Sequence, residues 1–109
     1  TGSDNHLLDC LDSGGAGAIT ALANVYGNLL AEIFNGHGRG EDMSTEQARL
    51  TALRGATTGF LLVAVVKALL AEVHGLPEWP LRPPLESLTD SQKLELIARL
   101  NSIWPRRAS

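Results

Sequence analysis

One stretch limits what this chain can fold into more than any other. Residues 16–21, Ala-Gly-Ala-Ile-Thr-Ala, are small and apolar, carry the β-branched pair Ile19 and Thr20, and follow a glycine-rich turn, the pattern of a short, fully buried strand. Every other periodic stretch is helical, so this strand has nothing within the chain to pair its backbone N–H and C=O groups with. Its partners must come from elsewhere. At 109 residues the chain is one domain at most, or part of one.

About five helices surround the strand. Ser3 and Asp4 are N-cap types ahead of Leu7, Leu8 and Leu11, and Gly14 and Gly15 stop the pattern, predicting a helix over about Asn5–Ser13. Leu29, Leu30, Ile33 and Phe34 make an apolar stripe on a helix from Tyr26 to Asn35, ending in the loop of Gly36, Gly38 and Gly40. Ser44, Thr45 and Glu46 open a third, to about Thr58, with Ala48, Leu50, Leu53 and Ala56 as its apolar positions. Phe60 to His74 is apolar on nearly every side, so it should be the most buried helix, closed by Gly75. Pro77, Pro80, Pro83 and Pro84 then force an extended crossing of the surface. Thr89 with Gln92 is a capping box, and Leu94, Ile97, Leu100 and Trp104 share one face of the last helix.

Charge and composition exclude several classes. A net charge of −3 and a pI near 5.5 give no general attraction for phosphate backbones, and the basic pair Arg106 and Arg107 is too short for a nucleic-acid arm. Hydrophobic residues at 44% against 19% charged describe a chain that folds. Cys10 is the only cysteine, so no internal disulfide forms and a cytoplasmic setting is expected. The most apolar run, Phe60 to Ala71, is broken by Lys67 and falls short of the ~20 residues a bilayer requires. Residues 1–5 have no secretory-signal pattern.

No local constellation specifies chemistry. His6 and Cys10 stand four apart beside Asp9, but a closed zinc site needs four ligands and no second pair has a recognisable spacing, so a packed thiol is the expectation and no metal is assigned. His37 and His74 sit beside glycines at helix ends, where histidine supports the C-terminal dipole. Gly14, Gly15 and Gly17 lie between a helix and the strand after it, the reverse of a phosphate loop, and read as a tight turn. Lys67 reads as a snorkelling lysine rather than a desolvated Schiff-base amine.

The motifs taken in order say more. Gly2-Ser3-Asp4, then Ser13-Gly14-Gly15-Ala16-Gly17-Ala18-Ile19-Thr20-Ala21, then Ala23-Asn24, resemble the end of strand seven through strand eight in a pyruvate-dependent aldolase family. That family contains dihydrodipicolinate synthase, N-acetylneuraminate lyase and 2-keto-3-deoxygluconate aldolase. The loop at Gly36–Gly40, Val66-Lys67 ahead of Gly75, and Leu81-Arg82-Pro83-Pro84-Leu85 before a last helix keep its order. The resemblance implies a (β/α)8 TIM barrel with a helical extension, of which this chain is the C-terminal third. Residues 1–35 would be the end of strand seven, a helix, strand eight and helix eight, and residues 36–109 the extension.

The resemblance also implies a class I lyase or aldolase, cofactor-free, whose lysine forms a Schiff base with pyruvate or another 2-oxo acid and makes or breaks a C–C bond with an aldehyde. That lysine lies upstream of Thr1, so no catalytic residue is assigned here, and Lys67 is not it. Gly2 and Ile19 match positions beside the Schiff base, Asp4 matches an acceptor for substrate hydroxyls, and Ser3, Thr20 and Ala21 neighbour the pocket. Asn5 and Ala21 depart from the sialic-acid lyase pattern, so sialic acid is not the expected substrate, and the motifs stand nearer the 2-keto-3-deoxygluconate type. A homo-oligomer, tetramer or dimer, is implied for the intact protein. The competing readings are a catalytically inert helical scaffold or oligomerisation module, and a barrel relative that binds a ligand for regulation.

Overall fold

The structure, a computed structural model, describes residues 1–103. A 3-10 turn, Asp4–His6, leads into α1 (Leu7–Asp12), followed by α2 (Ala23–Gly38), α3 (Ser44–Ala56), α4 (Leu62–His74) and α5 (Asp90–Ile103). The helix at the centre is α2, which packs against α1, α3 and α4, while α5 reaches the core by packing on α3. One cluster of side chains from all five helices forms that core, with Leu22, Leu29, Ile33, Leu50, Leu53, Val65, Leu69 and Leu96 wholly inaccessible or nearly so.

Two expectations about helix faces need correction. Phe60–His74 is not enclosed: α4 starts at Leu62 and buries only Ala64, Val65, Ala68 and Leu69, leaving Leu61 and Val63 exposed and Val66 and Leu70 half-buried. Among the described residues, α2 is the one helix that packs closely on it, so one face is covered rather than most of its surface. On α5 the buried positions are Leu96 and Leu100, with Ile103 packed against the core, whereas Leu94 is 71% exposed. A three-to-four spacing fits both stripes, and contact with α3 selects the one containing Leu96. Trp104, Arg106 and Arg107 lie outside the described residues. Phe34 on α2 and Ala48 on α3 also face solvent.

Among the described residues there is no strand, and residues 16–21 stand in irregular backbone without the partners a strand needs. A single rung of pairing is present instead. The Thr1 nitrogen donates to the Gly17 carbonyl at 2.9 Å and the Ile19 amide donates to the Thr1 carbonyl at 3.1 Å, the alternation of a parallel pair. A strand needs a continuing ladder on at least one side, and the described chain supplies only this one contact.

Glycines close α1 and α4 as the sequence implies, whereas Gly36 and Gly38, expected in a loop after Asn35, lie inside α2, which runs on to Gly38. Gly14, at φ 87°, closes α1: its amide bonds the Leu11 carbonyl and the Gly15 amide the Cys10 carbonyl, a Schellman motif. The capping box opens α5, with the Thr89 amide donating to Gln92 Oε1 at 2.9 Å and the Gln92 amide to Thr89 Oγ1 at 3.2 Å. Between α4 and α5 the proline-rich segment is irregular, pinned by buried Leu81 and Leu88, by Lys67 Nζ donating to the Pro80 carbonyl at 2.9 Å, and by the Lys93–Glu78 ion pair.

Arg99 joins α5 to the end of α3. Its Nη1 donates to the carbonyls of Ala56 (3.3 Å) and Thr58 (3.1 Å), its Nη2 pairs with Glu95 at 2.5 Å, and its guanidinium lies 5.0 Å from the Phe60 ring centroid. Arg99→Lys keeps the charge but loses the fork, so it should recover less than half of the roughly 1–2 kcal/mol that Arg99→Ala costs, as read by urea denaturation.

Tyr26 supplies a pH test. Burial disfavours its phenolate and raises its pKa above the ordinary 10.0. The folded state therefore holds this proton more tightly than the unfolded state, so stability is full below pH 10 and falls as pH rises further. Tyr26 is the only tyrosine. An ultraviolet titration of the native chain should show a midpoint above that of the urea-unfolded chain, with the melting temperature falling over the same interval.

Candidate functional site

The residues singled out at the chain start and at residues 19–21 are brought side by side. The Thr1 bonds to Gly17 and Ile19 lay residues 1–3 along residues 17–20, with Ser3 extended (φ −118°, ψ 127°) before the chain turns into the 3-10 helix. Gly2 is exposed, with no atom within 4 Å of where a side chain would begin. Ile19 is 92% exposed and Thr20, the next residue, only 9%. Extended backbone sends successive side chains to opposite faces, so Ile19 faces outward on one side while Thr20 turns back against the helices. Ala21 is half-buried, and its carbonyl accepts from both the backbone and the side-chain nitrogen of Asn24 (3.2 and 2.9 Å).

Asp4 is the most enclosed polar residue of the group, 3% exposed, and its Oδ1 has no hydrogen-bond partner. Thr20 Oγ1 is likewise buried without one. Buried polar atoms are paired in the great majority of cases, so two unpaired oxygens on adjoining segments are a departure concentrated at this end of the molecule. Glu46 Oε2, in the first turn of α3, is a third.

Two neighbours hold this segment in place. Gln47 of α3 donates from Nε2 to the Asp4 carbonyl at 3.0 Å and accepts from the Leu8 amide at Oε1, 2.9 Å, locking the 3-10 turn and the start of α1 onto α3. Sequence reasoning missed Gln47, because its partners lie 39 and 43 residues away and no local spacing announces them. Cys10 Sγ lies 3.7 Å from the Gly17 carbonyl and 3.8 Å from the Thr1 nitrogen. Half-buried, it packs under the rung as a small apolar group.

The remaining candidates are scattered. Imidazole Nδ1 of His6 is 3.8 Å from Asp9 Oδ2 at the surface, and no group of three potential metal-ligating side chains occurs among the described residues. Imidazole Nε2 of His37 is 3.0 Å from Asp12 Oδ1, tying the ends of α1 and α2. Lys67 holds the Pro80 carbonyl. Between α4 and α5 a cleft of about 370 Å³ has an apolar wall including Ala68, Leu69 and Ile97, with Glu78 and Lys93 paired at its rim.

Gly15 tests how tightly the rung is built. A Cβ placed there would come within 2.2 Å of Cys10 Sγ and 2.8 Å of the Cys10 carbonyl. Gly15→Ala must therefore displace the thiol and the carbonyl its own amide bonds. It should lower stability by about 1–3 kcal/mol in thermal denaturation.

With this geometry in hand, the relatives can be placed. Residues 1–103 match the sequence profile of the Dihydrodipicolinate synthetase family. An uncharacterized DapA-like lyase of Chloroflexus aurantiacus is 36% identical over 106 residues, covering 97% of this chain and 34% of the relative. The 4-hydroxy-tetrahydrodipicolinate synthase of Staphylococcus saprophyticus is 32% identical over 97 residues, 87% of this chain and 32% of the enzyme. Among solved structures, a variant of the Sulfolobus solfataricus 2-keto-3-deoxygluconate aldolase in complex with L-2-keto, 3-deoxy-galactonate superposes with a TM-score of 0.73 at 19% identity, over 94% of this chain and 36% of that one. The chain thus spans about a third of the length of the relatives it matches.

Proposed function

The chain belongs to the dihydrodipicolinate synthetase family, and on that premise we propose that it contributes one wall of the active site of a Schiff-base lyase or aldolase acting on pyruvate or a related 2-oxo acid. Residues 1–35 would be the end of strand seven through helix eight of a (β/α)8 barrel, and residues 36–109 the helical extension. The observation that carries the proposal is the pairing of Thr1 with Gly17 and Ile19, which sets Gly2 beside an Ile19 whose side chain is almost wholly exposed. In a closed barrel that face would look inward, toward the ends of the strands where barrel chemistry is done.

In such an enzyme the lysine amine condenses with the ketone, losing water, and the resulting iminium withdraws electrons from the bond made or broken at the neighbouring carbon. None of this chain's residues is assigned that amine. Gly2 leaves room beside the reacting carbon and Ile19 shields it from water. Asp4 has a buried oxygen lacking a donor, which suits a carboxylate that accepts from substrate hydroxyls. Ser3, Thr20 and Ala21 shape the segment behind it. The substrates would be a 2-oxo acid with an aldehyde partner, and no cofactor is invoked. A cytoplasmic setting and a homo-oligomeric intact protein are part of the same proposal.

Borohydride reduction tests it. A full-length protein carrying this sequence, incubated with pyruvate and borohydride, should gain the mass of a reduced pyruvyl adduct, while the 109-residue chain alone should gain none. A full-length protein that stays unmodified would overturn the reading. In the full-length enzyme, Asp4→Asn should lower kcat/KM for a hydroxylated substrate about 10- to 100-fold, the loss of one charged hydrogen bond, while sparing adduct formation with pyruvate itself.

A second reading, an inert scaffold or oligomerisation module, is favoured by the apolar side chains that α4 and its surroundings leave in solvent, Leu61, Val63, Leu76 and Trp79. Light scattering of the 109-residue chain separates the two. Stable self-association together with no adduct in the full-length protein would favour the scaffold.

A further inference from the structure

His74 stands in the last turn of α4, and its Nε2 lies 3.0 Å from the carbonyl oxygen of Val25, 49 residues earlier in the chain. Imidazole N–H donates and the carbonyl accepts, so Nε2 carries the proton. Val25 is buried in the first turn of α2, and the next residue, Tyr26, leaves helical geometry at φ −113°, ψ 36°. A kink in a helix has an identifiable cause, and a side chain bonding into the disturbed ladder is one. The link is also selective, because it joins the end of α4 to the one irregular point within α2.

Upstream of the kink the backbone is tied in short steps. Asn24 holds the Ala21 carbonyl through its amide and its side chain, and the amides of Val25 and Tyr26 donate to the Leu22 carbonyl at 3.0 and 2.7 Å. Residues 21–26 therefore form one hydrogen-bonded unit whose first residue directly follows Thr20. Displacing the Val25 carbonyl would shift the unit as a whole.

We propose that His74 is a positioning residue, which through the Val25 carbonyl sets the kink at Tyr26 and so fixes the backbone of residues 20–22. The extension helix α4 thereby sets the geometry of the segment behind the proposed pocket wall. The consequence for catalysis rests on the pocket-wall reading, but the positioning itself does not.

Amide hydrogen exchange on His74→Ala and His74→Gln variants of the 109-residue chain tests it. Glutamine places an N–H donor close to where imidazole Nε2 stands, and alanine removes it. With His74→Ala, the amides of residues 24–29 should exchange about 5- to 10-fold faster, the change expected from losing one hydrogen bond, while those around Leu50 and Leu53 on α3 stay at the wild-type rate. Glutamine should return residues 24–29 most of the way. Unchanged exchange at residues 24–29, an equal acceleration across α2 and α3, or a glutamine variant as fast as alanine would each overturn the proposal. Failure of the pocket-wall reading would show separately, as a missing pyruvate adduct, and would leave the exchange pattern untouched.

Discussion

The buried stripe at the head and along one side of α2 is what the rest of the fold depends on. Leu22, Val25, Leu29, Leu30 and Ile33 are all buried, and α1, α3 and α4 each pack on this helix. Each such side chain contributes about 1.5–3 kcal/mol when removed from water, before chain entropy is counted, and no other helix concentrates as many. Removing α2 would leave α1 and α4 without their main neighbour, and α3 would keep only the 3-10 turn, a minor contact with α1, and α5. The position of the site follows from this, because residues 16–21 lead straight into the head of that helix.

Packing alone leaves rotations and slides between helices undetermined, and a few long-range polar links remove them. Gln47 bonds both the carbonyl of Asp4 and the amide of Leu8, so the chain start cannot slide along α3 without breaking both. Arg99 performs the same service for α5 at the carbonyl end of α3, where helix carbonyls have no partners of their own. The long-range bonds of both side chains end on backbone, and their side-chain partners, Thr51 and Glu95, stand only four residues away on the same helix. The links consequently fix the path of the main chain, which is what the site segment requires.

What could be read in advance follows from the range of the physics. The Thr89–Gln92 box, the stop at Gly14 and the irregular run of prolines depend on neighbours within a few residues, and each stands where the pattern put it. The buried face of α5 depends on where α3 lies, and both Leu94 and Leu96 satisfy a helical period, so the sequence could not select between them. The apolar surround of α4 signals a need for cover without saying what provides it. Gln47 and Arg99 act across some 40 residues and leave no local trace. For the candidate site, family resemblance pointed to Gly2, Ser3, Asp4 and Ile19, whereas the burial of Asp4 and the opposite facing of Ile19 and Thr20 needed coordinates.

That opposition bears on how such a wall works. A residue that lines a pocket must be free on the pocket side and immobile on the other, since a wall that moves by an ångström loses its effect on orientation. Ile19 meets the first requirement with a side chain almost wholly uncovered, and the segment meets the second through the Thr1 rung, the buried Thr20 and the Asn24 bonds to Ala21. Rigidity at residues 19–21 is therefore built from the helical side, within this third of the relatives' length. In the proposed enzyme, the part of a barrel facing this wall would contribute the reacting groups, and the helices described here would contribute the fixed surface against which those groups act.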